Sequence, residues 1–369
     1  MSPITFSESA VVSPETSALP PRPRPTTTIR EVASKAEVSV STVSRTFNRP
    51  ETVRPQIRQR VEEVARSLDY SPNRMAQSLI TGRTRSIGLI VPDVANPFFP
   101  ELIKAAQARA RTAEYSAVLA DTDEDGYVEA RVARQMARQV DGLIICSSRM
   151  DDDDAARTRE LVTTVFVQRP VPDTASVVMD ASTGMRQAVA HLHALGHVRL
   201  AYLGGPPNSW SDGQRRVSAQ AATAELGLEL VELGPFQPQF SGGVQAADVL
   251  IAQGVTGVLA YNDLVALGVI SRLSQRGFTV PTQVSVIGFD DIAMAEMSLP
   301  PLTTVAMPVA IAGRMAVELL LDLLEDRRQP GTERIELPTH LVVRGSTAPA
   351  PEVVQQRNAT NPGPTEGAR

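Results

Sequence analysis

The 369-residue chain has little of several things that whole functional classes require. It has one cysteine, Cys146, so no disulfide can close within it. That residue ends the apolar run Gly142–Cys146, the setting of a buried structural thiol rather than a reactive one. No Gly-x-Gly-x-x-Gly and no phosphate-loop word occurs. The glycine loop Gly204-Gly205-Pro206-Pro207 is too proline-rich to cradle a pyrophosphate. A nucleotide-dependent enzyme is therefore disfavoured. No apolar run is long enough to span a membrane or to act as a signal peptide near the N-terminus. The expectation is a cytoplasmic protein, with no metal, cofactor or membrane partner. Asp151–Asp154 has no His or Cys nearby and reads as a solvated loop, not a metal site.

Net positive charge is also lacking: the chain carries −5 at pH 7. The average hides an asymmetry. Residues 28–83 hold ten Lys/Arg against six Asp/Glu, residues 1–27 balance at zero, and 84–369 carry −9. A basic N-terminal segment beside an acidic remainder places any nucleic-acid contact in 28–83 and limits indiscriminate binding elsewhere.

That segment is rich in helix signals. Thr28-Ile29-Arg30-Glu31 is a capping box that opens a helix running to about Lys35. Ser39 caps a second helix, Val40 to about Asn48, and the short Ala36-Glu37-Val38 connection has helix-turn-helix spacing. Val32, Ala33, Val43 and Phe47 share a small core, which turns Val40, Ser41, Ser44 and Arg45 outward, where base edges are read. Pro55 opens a third helix, in which Ile57, Val61, Val64 and Leu68 recur at helical spacing. Asn73 caps a short helical stretch, Arg74–Ile80, that is too brief to persist alone in water.

The words Ile29-Arg30-Glu31-Val32-Ala33, Val38–Arg45 and Tyr70–Leu79 resemble the DNA-binding head and hinge of the lactose-repressor (LacI/GalR) family, and the resemblance runs on to about Ser346. It implies a small all-α helix-turn-helix head followed by an α/β core of two parallel-sheet lobes, similar to periplasmic sugar-binding proteins. It implies DNA contacts from Thr28, Ser39, Val40, Ser41, Thr42, Ser44, Arg45, Asn48, Asn73, Arg74 and Gln77, with Leu79 as an apolar wedge in the minor groove. Glu37 stands where the family usually has glycine. Either the turn differs, or its backbone needs no positive φ. Ala194-Leu195-Gly196-His197 is a structural word of the family, which argues against a metal site at His191, His193 and His197. The leucine heptads of tetrameric members are absent, so a homodimer is implied.

From Ser86 onward, β-branched runs alternate with helical stretches, the pattern of parallel sheets covered on both faces. Ligand groups then gather at the carboxyl ends of strands. The loops there carry Asp93 with Asn96-Pro97-Phe98-Phe99, Asp121 and Asp123, Ser147 and Ser148, Gln168-Arg169, Gly204–Gln214 before Arg215, Asn262-Asp263 and Asp290-Asp291. Carboxylates, amides and arginines between aromatic walls suit a polyhydroxylated ligand. By resemblance Arg215, Asn262, Asp290, Gln168 and Met307 match effector-contacting positions. Phe98, Phe99, Phe236, Phe240 and Trp210 are candidate walls. Asp290 and Asn262 also have plain readings as helix caps, and Arg215 as a surface charge.

The expected organisation is a disordered arm (1–27), the head (28–72), a hinge helix and linker (73–84), the two-lobed effector-binding and dimerisation core (85–346) and a disordered tail (347–369). The expected function is a ligand-responsive, DNA-binding transcriptional regulator, a repressor on a pseudo-palindromic operator. An exported sugar-binding protein of a transporter is the alternative, and the head opposes it.

Overall fold

In the computed structural model, which describes residues 27–71, 82–328, 331 and 333–352, Thr28 and Glu31 close the capping box of α1 (Ile29–Lys35). Glu31 N donates to Thr28 Oγ1 at 3.4 Å, and Thr28 N donates to Glu31 Oε2 at 2.7 Å. Ser39 starts α2 (Val40–Asn48) by accepting from Thr42 N at 3.1 Å. Pro55 opens α3 (Pro55–Ser67). Val32, Val43 and Val61 are fully buried between the three helices, with Phe47, Ile57, Val64 and Leu68 packed around them. Each such valine stabilises the head by roughly 1.5–3 kcal/mol, which three short helices need because none persists alone. Glu37 sits at φ 53° in the turn. The turn does require the left-handed conformation, and here a glutamate adopts it.

The chain divides into two compact units, Met1–Gly82 and Arg83–Arg369. The second holds two sheets. β1 (Ser86–Val91), β2 (Ser116–Asp121), β3 (Gly142–Cys146), β4 (Thr163–Val167), β5 (Ala175–Asp180) and β11 (Arg334–Pro338) form the first, in the order β11-β5-β4-β3-β1-β2, all parallel. β6 (Arg199–Leu203), β7 (Glu229–Leu233), β8 (Gly257–Ala260), β9 (Ser285–Asp290), β10 (Thr303–Ala306) and β12 (His340–Val342) form the second, in the order β12-β10-β9-β8-β6-β7. Only β12 runs antiparallel to its neighbour in that sheet. The near-continuous apolar runs, such as Ile87–Val91 and Leu143–Cys146, are buried on both faces, as parallel sheets demand.

Helices α4 (Phe98–Thr112), α5 (Gly126–Met136), α6 (Asp152–Leu161) and α12 (Val309–Leu324) cover the first sheet. Helices α7 (Ala181–Ala194), α8 (Trp210–Glu225), α9 (Phe240–Leu250), α10 (Asp263–Gln275) and α11 (Ala293–Met297) belong with the second. The chain passes between the lobes after β5, between β10 and α12, and between β11 and β12. Both strand orders reverse at the lobe's first strand, between β1 and β3 and between β6 and β8. Those are the points at which α/β sheets open a crevice for ligands.

Two expectations need correction. Asp151–Asp154 is not a loop. Asp151 caps α6 by accepting from Asp154 N at 2.7 Å, and Asp152, Asp153 and Asp154 fill its first turn, where the helix dipole favours acid. The polar tail also begins later than residue 347. Buried His197 bonds Thr256 Oγ1 through Nδ1 (2.8 Å), and through Nε2 it reaches Ser285 Oγ and Ala348 O (both 3.1 Å). Ala350 N then donates to Leu195 O at 2.8 Å. These bonds pin Ala348–Ala350 to the second lobe, so the Leu-Gly-His word anchors a stretch of backbone. Among the described residues no cluster of His, Cys, Asp or Glu is placed to hold a metal ion. No helix among them is long and apolar enough to cross a membrane.

Candidate functional site

On α2 the residues expected to read DNA share one face. Val40, Ser41, Ser44, Arg45 and Asn48 recur at helical spacing, opposite buried Val43 and Thr46. Val40 is 42% exposed, although an isolated surface valine gains nothing from water. Ser41 and Arg45 are exposed as well, and Arg45 Nε rests on Ser41 O at 3.2 Å. Asn48 Nδ2 donates to Ser44 Oγ at 3.2 Å. Ser39 is a cap as well as a candidate contact, and its hydroxyl also meets Ser41 Oγ and Thr42 Oγ1 at 2.8 Å each. Thr28 is likewise an exposed cap at the start of α1. Asn73, Arg74, Gln77 and Leu79 lie outside the described residues.

In the second unit a cleft opens where the two strand orders reverse. The first lobe lines it with Asn96, Phe98, Phe99, Glu124, Ser147, Arg149 and Gln168. The second supplies Ser211, Arg215, Pro238, Tyr261, Asn262 and Asp290. At its centre Arg215 Nη2 donates to Asp290 Oδ1 at 3.1 Å and lies 3.4 Å from Met307 Sδ. Nη1 bonds Tyr261 O. The guanidinium carbon sits 3.9 Å from the Phe289 ring centroid and 5.0 Å from that of Tyr261. Arg215 is buried, and its Nε has no hydrogen-bond partner among the described residues. It is no surface charge. An unpartnered buried donor of this kind is costly unless an acceptor arrives.

Burial pushes the Asp290 carboxyl up to about 7 against the opposing pull of Arg215, and nearby Asp263 raises it further. Asp263 itself rises to about 6 through burial, although Thr304 Oγ1 and Ile292 N both donate to it. Asp290 caps no helix, since α11 has Ile292 at its cap position. Asn262 is a cap as well as a cleft residue. Its Oδ1 accepts from Val265 N and its Nδ2 donates to Pro238 O, both at 2.9 Å. The Tyr261 ring is seated against Gly205, where a Cβ would come within 2.5 Å of it.

The other expected positions divide. Phe98 and Phe99 form an edge-to-face pair, 5.1 Å between centroids, on the first-lobe wall. Gln168 lines the cleft, but its amide is bonded both ways to the Met179 backbone, at 2.8 and 3.1 Å. Arg169, next in sequence, points away. It is buried against Ser148 and Met150 and pairs with Asp152 at 2.7 Å. Met307 stands behind Arg215 rather than on the lining. Phe236 packs into the core of the second lobe, and Phe240 is 46% exposed. Asp93 lies outside the lining. It accepts from Ala95 N at 2.8 Å and meets Gln239 Nε2 of the facing lobe at 3.5 Å.

Sequence reasoning missed Glu124, Arg149 and Tyr261. Arg149 is buried and pairs with Glu124 at 2.6 Å. Its backbone is fixed from beneath by buried Glu129, whose Oε2 accepts from Arg149 N (2.6 Å) and Met150 N (3.1 Å). The only signal for these residues was their place just after strands β2, β3 and β8.

Residues 28–73 match the family described as bacterial regulatory proteins, lacI family, and residues 189–347 match the periplasmic binding protein-like domain. The chain is 33% identical to the HTH-type transcriptional regulator DegA of Bacillus subtilis over 335 residues, 88% of this chain and 98% of that protein. It is 31% identical to the HTH-type transcriptional repressor CytR of Escherichia coli, covering 88% of this chain and 97% of that one. Its structure is similar to that of the lac repressor dimer bound to operator and the anti-inducer ONPF, with a TM-score of 0.79 and 29% identity over 88% of this chain and 99% of that one. A helix-turn-helix head with an outward-facing second helix, followed by two lobes around an Arg–Asp cleft, thus places the chain in the lacI family of bacterial regulatory proteins.

Proposed function

We propose that this protein is a ligand-responsive transcriptional repressor of the cytoplasm. It acts as a homodimer on a pseudo-palindromic operator, one head per half-site, and a small sugar-like molecule in the cleft controls it. The observation that carries this reading is that one chain holds both a helix offering Ser41, Ser44 and Arg45 outward and a cleft with a buried arginine donor left open. The lac repressor structure described above is a dimer on operator with a small molecule bound, and the same arrangement is carried over here.

Ligand hydroxyls donate to Asp290 and accept from Arg215, while Phe98 and Phe99 cover an apolar face. Asn208 Nδ2 reaches across the cleft to Arg149 O at 3.3 Å, so the lobes touch at the cleft. Occupying the cleft changes the lobe angle about the three crossings, a hinge motion. Through the dimer that motion sets whether the hinge segments, with Leu79 as wedge, pair on DNA. Effector and operator are then linked by one coupling free energy.

The test is a gel shift with genomic fragments, alongside a thermal-shift screen of sugars. A specific ligand raises the melting temperature by mass action. A protein that retards no fragment, or that no sugar stabilises, contradicts the reading.

A further inference from the structure

Two ion pairs face the cleft, one from each lobe, with both arginines and Asp290 buried and Glu124 largely so. Arg215–Asp290 (3.1 Å) belongs to the second lobe and Arg149–Glu124 (2.6 Å) to the first. Their side chains are 3–14% exposed in the Arg149–Glu124 pair and 4–7% in the other. These four are the ionisable acids and bases among the lining, so each wall of the cleft sets one arginine against one carboxyl group.

The first-lobe pair is held in place. Gly126, at the start of α5, presses on the Arg149 carbonyl so closely that a Cβ would come within 2.3 Å of it. Glu129 ties down the two amides that follow Ser148, and Arg149 Nη1 donates to Ser147 O at 2.6 Å. With its backbone so fixed, the Arg149 side chain can swing to a new partner only by giving up Ser147 O and Glu124. Glu124 is anchored at φ 60° in the loop after β2.

We propose that the Glu124–Arg149 pair is the specificity element of this cleft: it neutralises the first-lobe wall, and so restricts the ligand to an uncharged polyhydroxyl molecule that touches both walls. This rests on the reading of the cleft as the effector site. An anionic ligand such as a sugar phosphate or a uronic acid needs an arginine whose charge is not already spent. To gain one it must displace Glu124 or Asp290, leaving a buried carboxylate unpaired, which costs more than a new pair returns. A cationic ligand meets the same obstacle with signs reversed. A neutral polyol displaces neither. One hydroxyl bridges the carboxylate and guanidinium of each pair, donating to the first and accepting from the second. The open Nε of Arg215 takes a further hydroxyl or ring oxygen. Two such bridges, one per lobe, hold the lobes together.

The test uses the full-length protein and two matched sets of probes. Neutral ribose, galactose and cellobiose are compared with ribose 5-phosphate, galactose 6-phosphate, galacturonate and galactosamine by thermal shift and titration calorimetry. Inorganic phosphate is titrated into the wild type and into Glu124→Gln, which keeps the shape of the side chain and uncovers Arg149. The expected result is stabilisation of the wild type by a neutral sugar at least roughly tenfold tighter than by its charged counterpart. Inorganic phosphate binds only to Glu124→Gln. A charged probe that outcompetes its neutral counterpart on the wild type overturns the proposal and leaves the effector site standing. So does a folded Glu124→Gln protein that gains no phosphate. Should no probe of either set bind the wild type, the effector reading falls, and the proposal with it. The wild-type comparison needs no variant, so a Glu124→Gln protein that fails to fold does not remove the test.

Discussion

Arg215 and Asp290 stand 75 positions apart in the chain and 3.1 Å apart in the cleft, both buried, with the guanidinium held between the rings of Phe289 and Tyr261. Helix α8 supplies one partner and the end of β9 the other. The cleft therefore depends on the second lobe being folded, and a change at either residue is read in ligand binding before it is read in the head.

Asp290→Ala is expected to weaken ligand binding by at least about 1–3 kcal/mol, the cost of leaving buried polar groups without their partner. DNA binding without ligand stays near the wild-type value, since the head is a separate unit. Titration calorimetry with a stabilising sugar checks the first part and a gel shift the second. Wild-type ligand affinity in the variant would reduce Asp290 to a structural partner of Arg215.

Burial lifts Asp290 to about 7 and Asp263 to about 6, both above their unfolded values near 4. A carboxyl raised in this way keeps its proton in the folded state after the unfolded chain has lost it. Its contribution to stability is full below pH ~4 and is lost as pH rises through 6 to 7. The second unit should thus become less stable across that window, by up to about 1.4 kcal/mol per pH unit for each group. Denaturant unfolding at a series of pH values measures the slope, and Asp290→Asn should flatten it. An identical slope in the variant would mean that the Asp290 carboxyl does not titrate there.

Glu37 holds φ 53° in the turn between α1 and α2. The left-handed conformation costs a non-glycine residue about 1 kcal/mol or somewhat more, and glycine nothing. Glu37→Gly should raise the stability of the head by a comparable amount, less the entropy that glycine adds to the unfolded chain. It also removes an acid next to the DNA-reading helix, so non-specific DNA affinity should rise. Thermal melting of the head and a non-specific binding titration check both, and a fall in head stability would show that the turn is not strained.

Arg45→Ala should cost operator binding roughly 1–3 kcal/mol and lower discrimination between sequences, because one good base contact is worth that much. The side chain is exposed and its Nε rests on Ser41 O of the same helix, so the head is expected to keep its fold. Competition gel shifts with operator and random duplex read the effect. Equal discrimination in the variant would remove Arg45 from the reading face.

Much of this was legible in the chain because it rests on local rules. The Thr28–Glu31 box, the Ser39 cap and Pro55 each dictate a helix start, and the first-turn residues form as those rules require. Arg215, Asn262 and Asp290, singled out by resemblance, line one cleft. The failures are cases where tertiary context decides. Gln168 and Arg169 adjoin in sequence, but the turn at Gln168, φ 61°, sends one into the cleft and the other onto α6. Phe236 is apolar enough for either a wall or a core, and the second lobe takes it. The Glu124–Arg149 pair joins two loops 25 residues apart whose lengths alone give no register. α6 was hidden because its acidic first turn looks like a solvated loop until Asp151 is seen to cap it.

The proposed repressor turns on one coupling free energy between the cleft and DNA. Its most direct measurement is a fluorescence-anisotropy titration of labelled operator, with and without a saturating sugar that stabilises the wild type. The operator Kd is expected to change about 5- to 150-fold with the sugar, and the sugar Kd by the same factor with operator present. In Asp290→Ala the sugar should leave operator affinity unchanged. A sugar that demonstrably occupies the wild-type cleft and leaves its operator Kd unaltered would contradict the account.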